Sequence, residues 1–211
     1  MNDYLLLNRV THTFTIKESL LLPFMVIPLL AYRFSSYKDR LKKDVDRFWS
    51  VHYGCLPINY DVGIVRELAN CVEFRNLFFY RCGKIRRIFS HLSLFFLKKQ
   101  QLLSFGVARE NLGGGLFIQH GYCTVITAQR IGENFWVNQN VTIAYSGNGT
   151  PVIGDNVHVA SGANVVGGIS VGNKVTIGAG TTVVRDIPDN TLVVSQAPRY
   201  IDKKTKVMHK E

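Results

Sequence analysis

Hydrophobic residues follow different spacings in the two halves of the chain. In residues 36–50 the apolar positions lie three or four apart with charged residues between them, which is typical of one face of a helix. Residues 64–82 repeat this pattern, and residues 84–99 are basic at both ends and aromatic between. The amino-terminal part, residues 1–103, is therefore predicted to be mainly helical.

The carboxy-terminal half has a period of six residues. From Ile153 the chain divides into six consecutive blocks of six, each beginning with an aliphatic residue, and earlier blocks extend this register with one step of seven and one of ten. Such a period predicts a parallel β-helix, in which three blocks close one triangular coil and each first residue faces inward; the block starts predict about four coils. The starts are Leu112, Ile118, Val125, Ile131, Val137, Ile143, Ile153, Val159, Val165, Val171, Ile177 and Val183.

The predicted fold class is α+β, with a β-helix over residues 104–194 after the helical part and a closing turn with a basic tail over 195–211. Two breaks interrupt the β-helix register. One places an extra residue within 119–124, and the other leaves a protruding loop at 144–151. Insertions in a solenoid form surface loops where function concentrates, so we expect the site near these breaks.

Positive charge is concentrated in the helical half. The chain has a formal net charge of +10, and residues 1–100 hold 16 basic and 8 acidic residues. These basic residues lie on predicted helices without a nucleic-acid-reading motif, so no nucleic-acid partner is predicted. For residues 84–99 two interpretations stay open: a helix lying on an anionic membrane surface, or a helix packed on a neighbouring domain or subunit.

The four cysteines show no C-x-x-C and no zinc-type spacing, which predicts buried, reduced thiols and no metal. Cys123 is interpreted as a packing residue. The longest apolar run, Leu20–Tyr32, has thirteen residues and two prolines, whereas a spanning helix needs about 20. We therefore expect a buried or interfacial segment there. The predicted location is cytoplasmic, with peripheral contact at the inner face of the membrane if residues 84–99 bind lipid.

Three stretches carry a family resemblance: GGGLFIQH (113–120), VNQNVTI (137–143) and residues 151–190. They resemble the hexapeptide-repeat acyltransferases, and the resemblance covers residues 104–202. It is closest to the serine O-acetyltransferase branch and its relatives associated with surface polysaccharides. The resemblance implies a left-handed β-helix, a homotrimer, and acetyl-coenzyme A (acetyl-CoA) bound in the groove between neighbouring prisms.

The resemblance also implies roles for individual residues. His120 falls on the family's catalytic histidine, and an imidazole with a pKa near about 6.5 can take the proton of an acceptor hydroxyl. Coenzyme contacts are implied at Ser161, Ala179, Arg185 and Arg199. The chain reads SQAP at 195–198, where family members often have G-V-P-A.

The chain departs from the serine acetyltransferases at several positions. Phe105 stands where those enzymes have an aspartate that orients the histidine, and Gln119 stands where they have an aspartate that helps to bind the amino acid. An amino-acid acceptor needs charged partners, so these departures argue against serine. A backbone carbonyl or Glu73 is left as the alternative partner that orients His120.

Aromatic and amide residues surround His120 in the sequence, and such residues suit a sugar hydroxyl. The main prediction is therefore an acetyl-CoA-dependent O-acetyltransferase acting on a sugar or a surface-polysaccharide precursor. One alternative is a serine or other small-molecule O-acetyltransferase, and another is a non-catalytic trimeric scaffold. Trp136 and Phe135 either line the site or pack at a corner. The predicted acceptor-binding residues are Tyr122, Asn138, Asn140 and Tyr145.

Overall fold

The computed structural model describes residues 14–57, 59–83 and 98–196, with two further short strands near the carboxyl end. None of the described helices is long and apolar enough to cross a membrane. The first helix starts with a capping box, in which Thr15 and Glu18 each bond the other's backbone N–H. The described helices are α1 (Ile16–Arg33), α2 (Lys38–Tyr53), α3 (Tyr60–Asn70) and α4 (Val72–Cys82).

The helical prediction is confirmed for the described segments, with one difference. The pattern at 64–82 predicts one helix, but the structure breaks it at Cys71, which has extended backbone (φ −115°, ψ 114°) and ends α3. The Cys71 thiol then accepts a hydrogen bond from the N–H of Phe74 and caps α4. A side chain that satisfies a free N–H at a helix start explains why the chain can begin a new helix here. Residues 84–97 of the basic aromatic segment lie outside the described residues.

The carboxy-terminal half is a β-helix of short strands that pair only in parallel. Sheet A consists of β1, β3, β6, β9 and β12, sheet B of β4, β7 and β10, and sheet C of β2, β5, β8, β11 and β13. The strands are β1 (Leu103–Phe105), β2 (Phe117–Ile118), β3 (Thr124–Ile126), β4 (Arg130–Ile131), β5 (Trp136–Val137), β6 (Thr142–Ala144), β7 (Val152–Ile153), β8 (His158–Val159), β9 (Asn164–Val166), β10 (Ser170–Val171), β11 (Thr176–Ile177), β12 (Thr182–Val183) and β13 (Leu192–Val193). An antiparallel pair, β14 (Tyr200–Ile201) and β15 (Met208–His209), follows.

The β-helix has about five coils, where the six-residue register predicts about four. The six-residue register does not predict β1 at the amino end or β13 at the carboxyl end. At the carboxyl end the period is broken because Ile187 follows Val183 after only four residues. Ile187 bridges to Val171 and completes sheet B. A shortened corner therefore hides the last coil from a search for a strict period.

The predicted inward positions are buried, with one exception. Val125 is 37% exposed, whereas Ile126 is fully buried and pairs with the inward Ile143. The prediction for Val125 is therefore wrong by one residue. Because side chains alternate along a strand, a shift of one residue moves the side chain to the opposite face.

Glycines in the second position of several blocks are required by the stacking of coils. A Cβ atom on Gly154 would lie 2.7 Å from Asn173 Oδ1 and 2.9 Å from the carbonyl of Gly172 in the next coil. A Cβ atom on Gly132 would likewise lie 2.7 Å from the carbonyl of Gly154. The coils approach so closely at this corner that a side chain has no room.

A buried ion pair fixes the helical half to the first coil. Arg81 Nε donates to Asp44 Oδ2 at 3.0 Å, and both side chains are fully buried. Asp44 also accepts from the N–H of Leu116, and Arg81 donates to the carbonyl of Leu112 at 2.6 Å. These bonds set the position of α2 and α4 relative to β2, and β2 leads directly into the first break of the register.

Candidate active site

The first break is an insertion of two residues at a corner of the β-helix. Elsewhere the inward residues on sheets C and A are six apart, but Ile118 and Ile126 are eight apart. The N–H of Asn140 bonds the carbonyl of Tyr122, as that of Gly162 bonds Gln139, so Tyr122 is aligned with Gln139. The two inserted residues are therefore His120 and Gly121, whereas the sequence register predicts one extra residue.

His120 lies on this bulge with its side chain exposed. Its backbone is left-handed, with φ 56°, and its carbonyl accepts from the N–H of Tyr122. A left-handed non-glycine residue is uncommon and is often found at functional sites. Among the described residues, none hydrogen-bonds to the imidazole ring of His120, and the exposed residue is accessible to solvent.

Gly121 turns inward and brings the bulge against the helical half. A Cβ atom here would lie 2.9 Å from Ile118, 3.1 Å from Leu103 and 3.4 Å from Cγ of Glu73. Glu73, near the start of α4, thus lies beside the bulge. Its Oε2, however, accepts from the thiol of Cys71 at 3.5 Å and not from His120. The expectation that Glu73 or a carbonyl orients His120 is not met within the described part of the chain.

Phe105, at the position of the family's orienting aspartate, serves packing instead. Its ring stacks on Tyr80 of α4, with centroids 4.6 Å apart. Tyr80 in turn donates its hydroxyl hydrogen to the carbonyl of Val107. This position therefore helps to join the two halves of the molecule.

A ladder of polar side chains runs along sheet C from the residue before His120. Gln119 Oε1 accepts from Trp136 Nε1 and from Asn138 Nδ2, each at 3.2 Å. Asn138 Oδ1 lies 2.8 Å from His158 Nε2. Burial and the nearby charge of Arg47 lower the pKa of His158, so its ring is neutral at pH 7. His158 must then donate from Nε2, because the Asn138 oxygen can only accept.

The ladder gives His158 a structural role, and it defines the roles of two neighbouring aromatic residues. Phe135 is fully buried and packs at its corner. Trp136 is half-buried, with its ring 5.0 Å from that of His158 and 5.2 Å from the Arg47 guanidinium. Trp136 therefore belongs to the surface beside the bulge.

Most of the predicted site residues share one edge of the prism, between sheets C and A. The backbone bonds between coils show that equivalent corner positions in four successive coils are occupied by Tyr122, Gln139, Ser161 and Ala179. At about 4.8 Å per coil, Tyr122 and Ala179 are about 14 Å apart. The predicted residues at this edge are His120, Tyr122, Asn138, Asn140, Ser161 and Ala179.

Two predicted residues are not brought to this edge, and a third is not described. Tyr145 follows β6 and Arg185 follows β12, so within one chain both lie at the edge between sheets A and B. Arg199 lies outside the described residues. Cys123 is exposed and left-handed (φ 49°), so its interpretation as a packing residue is wrong.

The structure also reveals charged groups beside this edge that sequence reasoning missed. His52 Nδ1 lies 3.1 Å and 3.2 Å from the two oxygens of Glu67, whose side chain is 1% exposed. The hydrogen bond to Glu67 raises the pKa of His52, and burial raises the pKa of Glu67. The His52 ring lies 5.8 Å from that of Phe117 on β2. The feature of the sequence that could have indicated this pair is Glu67, an acidic residue at a helix position that is buried.

Comparisons with known proteins relate the chain to one group of enzymes. It is 38% identical over 133 residues to a serine acetyltransferase of Synechococcus elongatus, covering 59% of this chain and 51% of that protein. It is 33% identical over 153 residues to a serine acetyltransferase of Bacillus pumilus, covering 69% of this chain and 64% of that protein. The chain thus spans about half to two thirds of the length of these curated relatives. No family model matches it.

Solved structures share the fold. A serine acetyltransferase in complex with CoA superposes with a TM-score of 0.57 over 90% of this chain and 79% of that one, at 18% identity. The expected closeness to polysaccharide-associated enzymes is not supported by these relatives. The six-residue repeat, the β-helix of about five coils and these similarities together group the chain with the hexapeptide-repeat acetyltransferases.

Proposed function

We propose that the protein is an acetyl-CoA-dependent O-acetyltransferase with His120 as its general base, and that its acceptor is serine or a similar small hydroxy amino acid. One observation carries the proposal: the two-residue insertion exposes a histidine on an edge that it shares with Ser161 and Ala179. Relatives named serine acetyltransferases, and a structural neighbour that binds CoA, support the same reaction class.

The chemistry requires a base at this position. The acceptor hydroxyl is a poor nucleophile near pH 7, and an unprotonated His120 ring removes its proton as the oxygen attacks the thioester carbonyl carbon. The tetrahedral intermediate then collapses, the carbon–sulfur bond breaks, and an O-acetyl ester forms. The imidazolium returns its proton to the departing CoA sulfur, so His120 is regenerated after each turnover.

The coenzyme is proposed to lie along the edge below the bulge. Ser161 and Ala179 extend this edge over the third and fourth coils, which suits an elongated ligand. The edge is open to solvent in one chain, and in a homotrimer a neighbouring prism would close it into a groove. Arg185 lies on another edge, so it would reach the coenzyme from the neighbouring chain, where a guanidinium suits a phosphate.

The acceptor assignment depends on charges from the helical half. The sequence argument against serine was that charged partners are missing beside His120. Glu73 lies against the bulge, and Arg47 lies over Trp136, whose indole bonds the residue before His120. A carboxylate and a guanidinium are the partners that an amino acid's ammonium and carboxylate need. These groups therefore support an amino-acid acceptor.

A sugar hydroxyl is a second candidate, and the ladder on sheet C favours it. Trp136 offers an aromatic surface, and Gln119 and Asn138 offer amides at the same place. However, both amides already bond within the ladder, and so does the indole N–H. Binding a sugar would require these bonds to rearrange, which places this candidate second.

A comparison of acceptors tests the proposal. Release of free CoA thiol from acetyl-CoA would be measured with serine, with hexoses and with a nucleotide sugar, and each product would be identified by mass spectrometry. We expect O-acetylserine at many turnovers per chain and no sustained sugar acetylation. Sugar acetylation without O-acetylserine would favour the second candidate. No calorimetric binding of acetyl-CoA up to several millimolar would overturn the enzyme proposal and leave the scaffold.

A further inference from the structure

Three helices converge on one group of metal-binding side chains in the helical half. His52 lies near the end of α2, Glu67 lies on α3, and Cys71 joins α3 to α4. Their ligand atoms, His52 Nδ1, a Glu67 oxygen and Cys71 Sγ, all lie within 4.8 Å of one another. None of these residues has a role in the proposed acetyl transfer.

We propose that His52, Glu67 and Cys71 bind a zinc ion that ties α2, α3 and α4 together next to the His120 bulge. Imidazole, carboxylate and thiolate are the ligand types that zinc takes in proteins. With metal–ligand distances of about 2.0–2.3 Å, ligand atoms around a tetrahedral zinc lie roughly 3.3–3.7 Å apart. The separations of 3.1 Å and 3.2 Å between His52 and Glu67 are already close to this, and the widest pair needs to contract by about 1 Å.

Charge around the cluster also favours a cation. Glu67 is buried, and His52 is its one hydrogen-bond partner among the described residues. A second carboxylate, Glu73, lies 3.5 Å from the Cys71 sulfur. Two guanidiniums also act on this group: Arg66, which bonds Glu18 at 3.1 Å, and Arg75, which donates to the backbone carbonyls of Leu68 and Ala69. Since neither guanidinium hydrogen-bonds to Glu67 or Glu73 in the contacts above, a metal ion would be the group that binds these carboxylates directly.

Burial raises the pKa of the Cys71 thiol to about 12, and the thiol donates to Glu73 at 3.5 Å, so zinc must displace this proton to bind the sulfur. The Cys71 sulfur accepts from the N–H of Phe74 at the start of α4, and a helix amino terminus favours negative charge. Binding would displace the thiol proton and any proton on His52 Nδ1, and both would pass to solvent. The fourth position would be taken by water on the side of Glu73, whose carboxylate could then accept a hydrogen bond from it.

No sequence pattern indicates this site, because its ligands come from three different parts of the fold. His52 and Glu67 are fifteen residues apart, and Cys71 has no second cysteine at metal-site spacing. Only the packing of α2 against α3, and the break of the helix at Cys71, bring the three side chains together. This explains why cysteine spacing alone predicts no metal.

The metal content of the untagged full-length chain tests the proposal. After growth with zinc and extensive dialysis, we expect about one zinc per chain by mass spectrometry of the metal. Replacement by Co²⁺ should give the charge-transfer absorption of a thiolate–cobalt bond. Cys71→Ser should lose this absorption and the zinc, and His52→Gln should lose most of the zinc. Cys55→Ser is the matched control, because Cys55 is a half-buried thiol outside the cluster, and it should keep both.

Circular dichroism of each variant separates loss of metal from loss of fold. A folded wild-type chain without zinc and without the cobalt band would overturn the proposal and leave a cluster satisfied by its own hydrogen bonds. Zinc retained in both folded variants would place the ion elsewhere and would equally overturn it. Because no readout depends on acetyl transfer, failure here is distinguishable from failure of the proposed function.

Discussion

The two halves of the molecule hold their shape by different means. In the β-helix, each coil repeats the backbone bonds and buried aliphatic residues of the one before, so its geometry is set by contacts between residues one coil apart. In the helical half, buried ion pairs such as Arg81–Asp44 and Arg66–Glu18 connect distant segments. The proposed active site lies where the regular half is interrupted and the irregular half supplies charge.

This difference has a consequence for function. A regular solenoid presents long, uniform edges, and a two-residue insertion is enough to project His120 from one of them. The insertion is next to α4, so Glu73 lies beside Gly121. In the proposed reaction, the β-helix therefore provides the frame and the base, whereas the helical half provides the charged groups that would select the acceptor.

The largest loss of stability is expected when Arg81, the buried cation that joins the two halves, is removed. Arg81→Met leaves the Asp44 carboxylate buried without its partner, which typically costs about 3–5 kcal/mol. Urea unfolding measures the change. Arg33→Met is the control, because the Arg33 side chain in its pair with Asp61 is 60% exposed, and such surface pairs contribute about 0–1 kcal/mol. Equal losses in the two variants would contradict the role given to Arg81.

A smaller loss of stability is expected from disturbing the contact between neighbouring coils of the β-helix. Gly154→Ala places a Cβ atom against backbone of the next coil, and overpacking of this kind costs about 1–3 kcal/mol. Gly147→Ala is the matched control, since a Cβ atom there has no neighbour within 4 Å. Urea unfolding compares the two variants. A Gly154→Ala protein as stable as Gly147→Ala would show that the coils are spaced more loosely than the structure indicates.

The sequence predicted the β-helix well because one physical requirement repeats every six residues. An inward aliphatic residue is needed on each face of every coil, and eleven of the twelve predicted positions are buried. The errors occur where corners change length: at Val125, beside the His120 insertion, and at Ile187, after a four-residue step. A periodic argument detects such corners but cannot assign which residues they insert or remove.

The candidate site was less predictable, for a different reason. His120 stood out in the sequence as a histidine beside a break in the register. The contacts of His52, Glu67 and Arg47 depend on how α2 packs against α3 and β5, and no local sequence pattern records that packing. The sequence argument that charged acceptor partners are absent has the same limit, because it rests on Phe105 and Gln119 and cannot place Arg47 near the residue before His120.

The smallest expected effect is on the protonation of His158 in the ladder. His158 should titrate below its usual pKa of 6.5, because burial and the Arg47 charge disfavour the imidazolium. Arg47→Met should raise this pKa. Since the unfolded chain binds the proton more readily, His158 should reduce stability as the pH falls below about 6.5. NMR of ¹³C-labelled histidine measures the titration, and a midpoint above 6.5 would contradict the assigned environment.

The most direct test of the central claim is the turnover of His120→Ala with acetyl-CoA and serine, measured beside the wild type. Loss of a general base predicts a rate roughly 10²–10⁴-fold lower, while the calorimetric Kd for acetyl-CoA stays unchanged, because the coenzyme site is proposed to lie along the edge at Ser161 and Ala179. Unchanged turnover in the variant would contradict the role of the bulge and of His120.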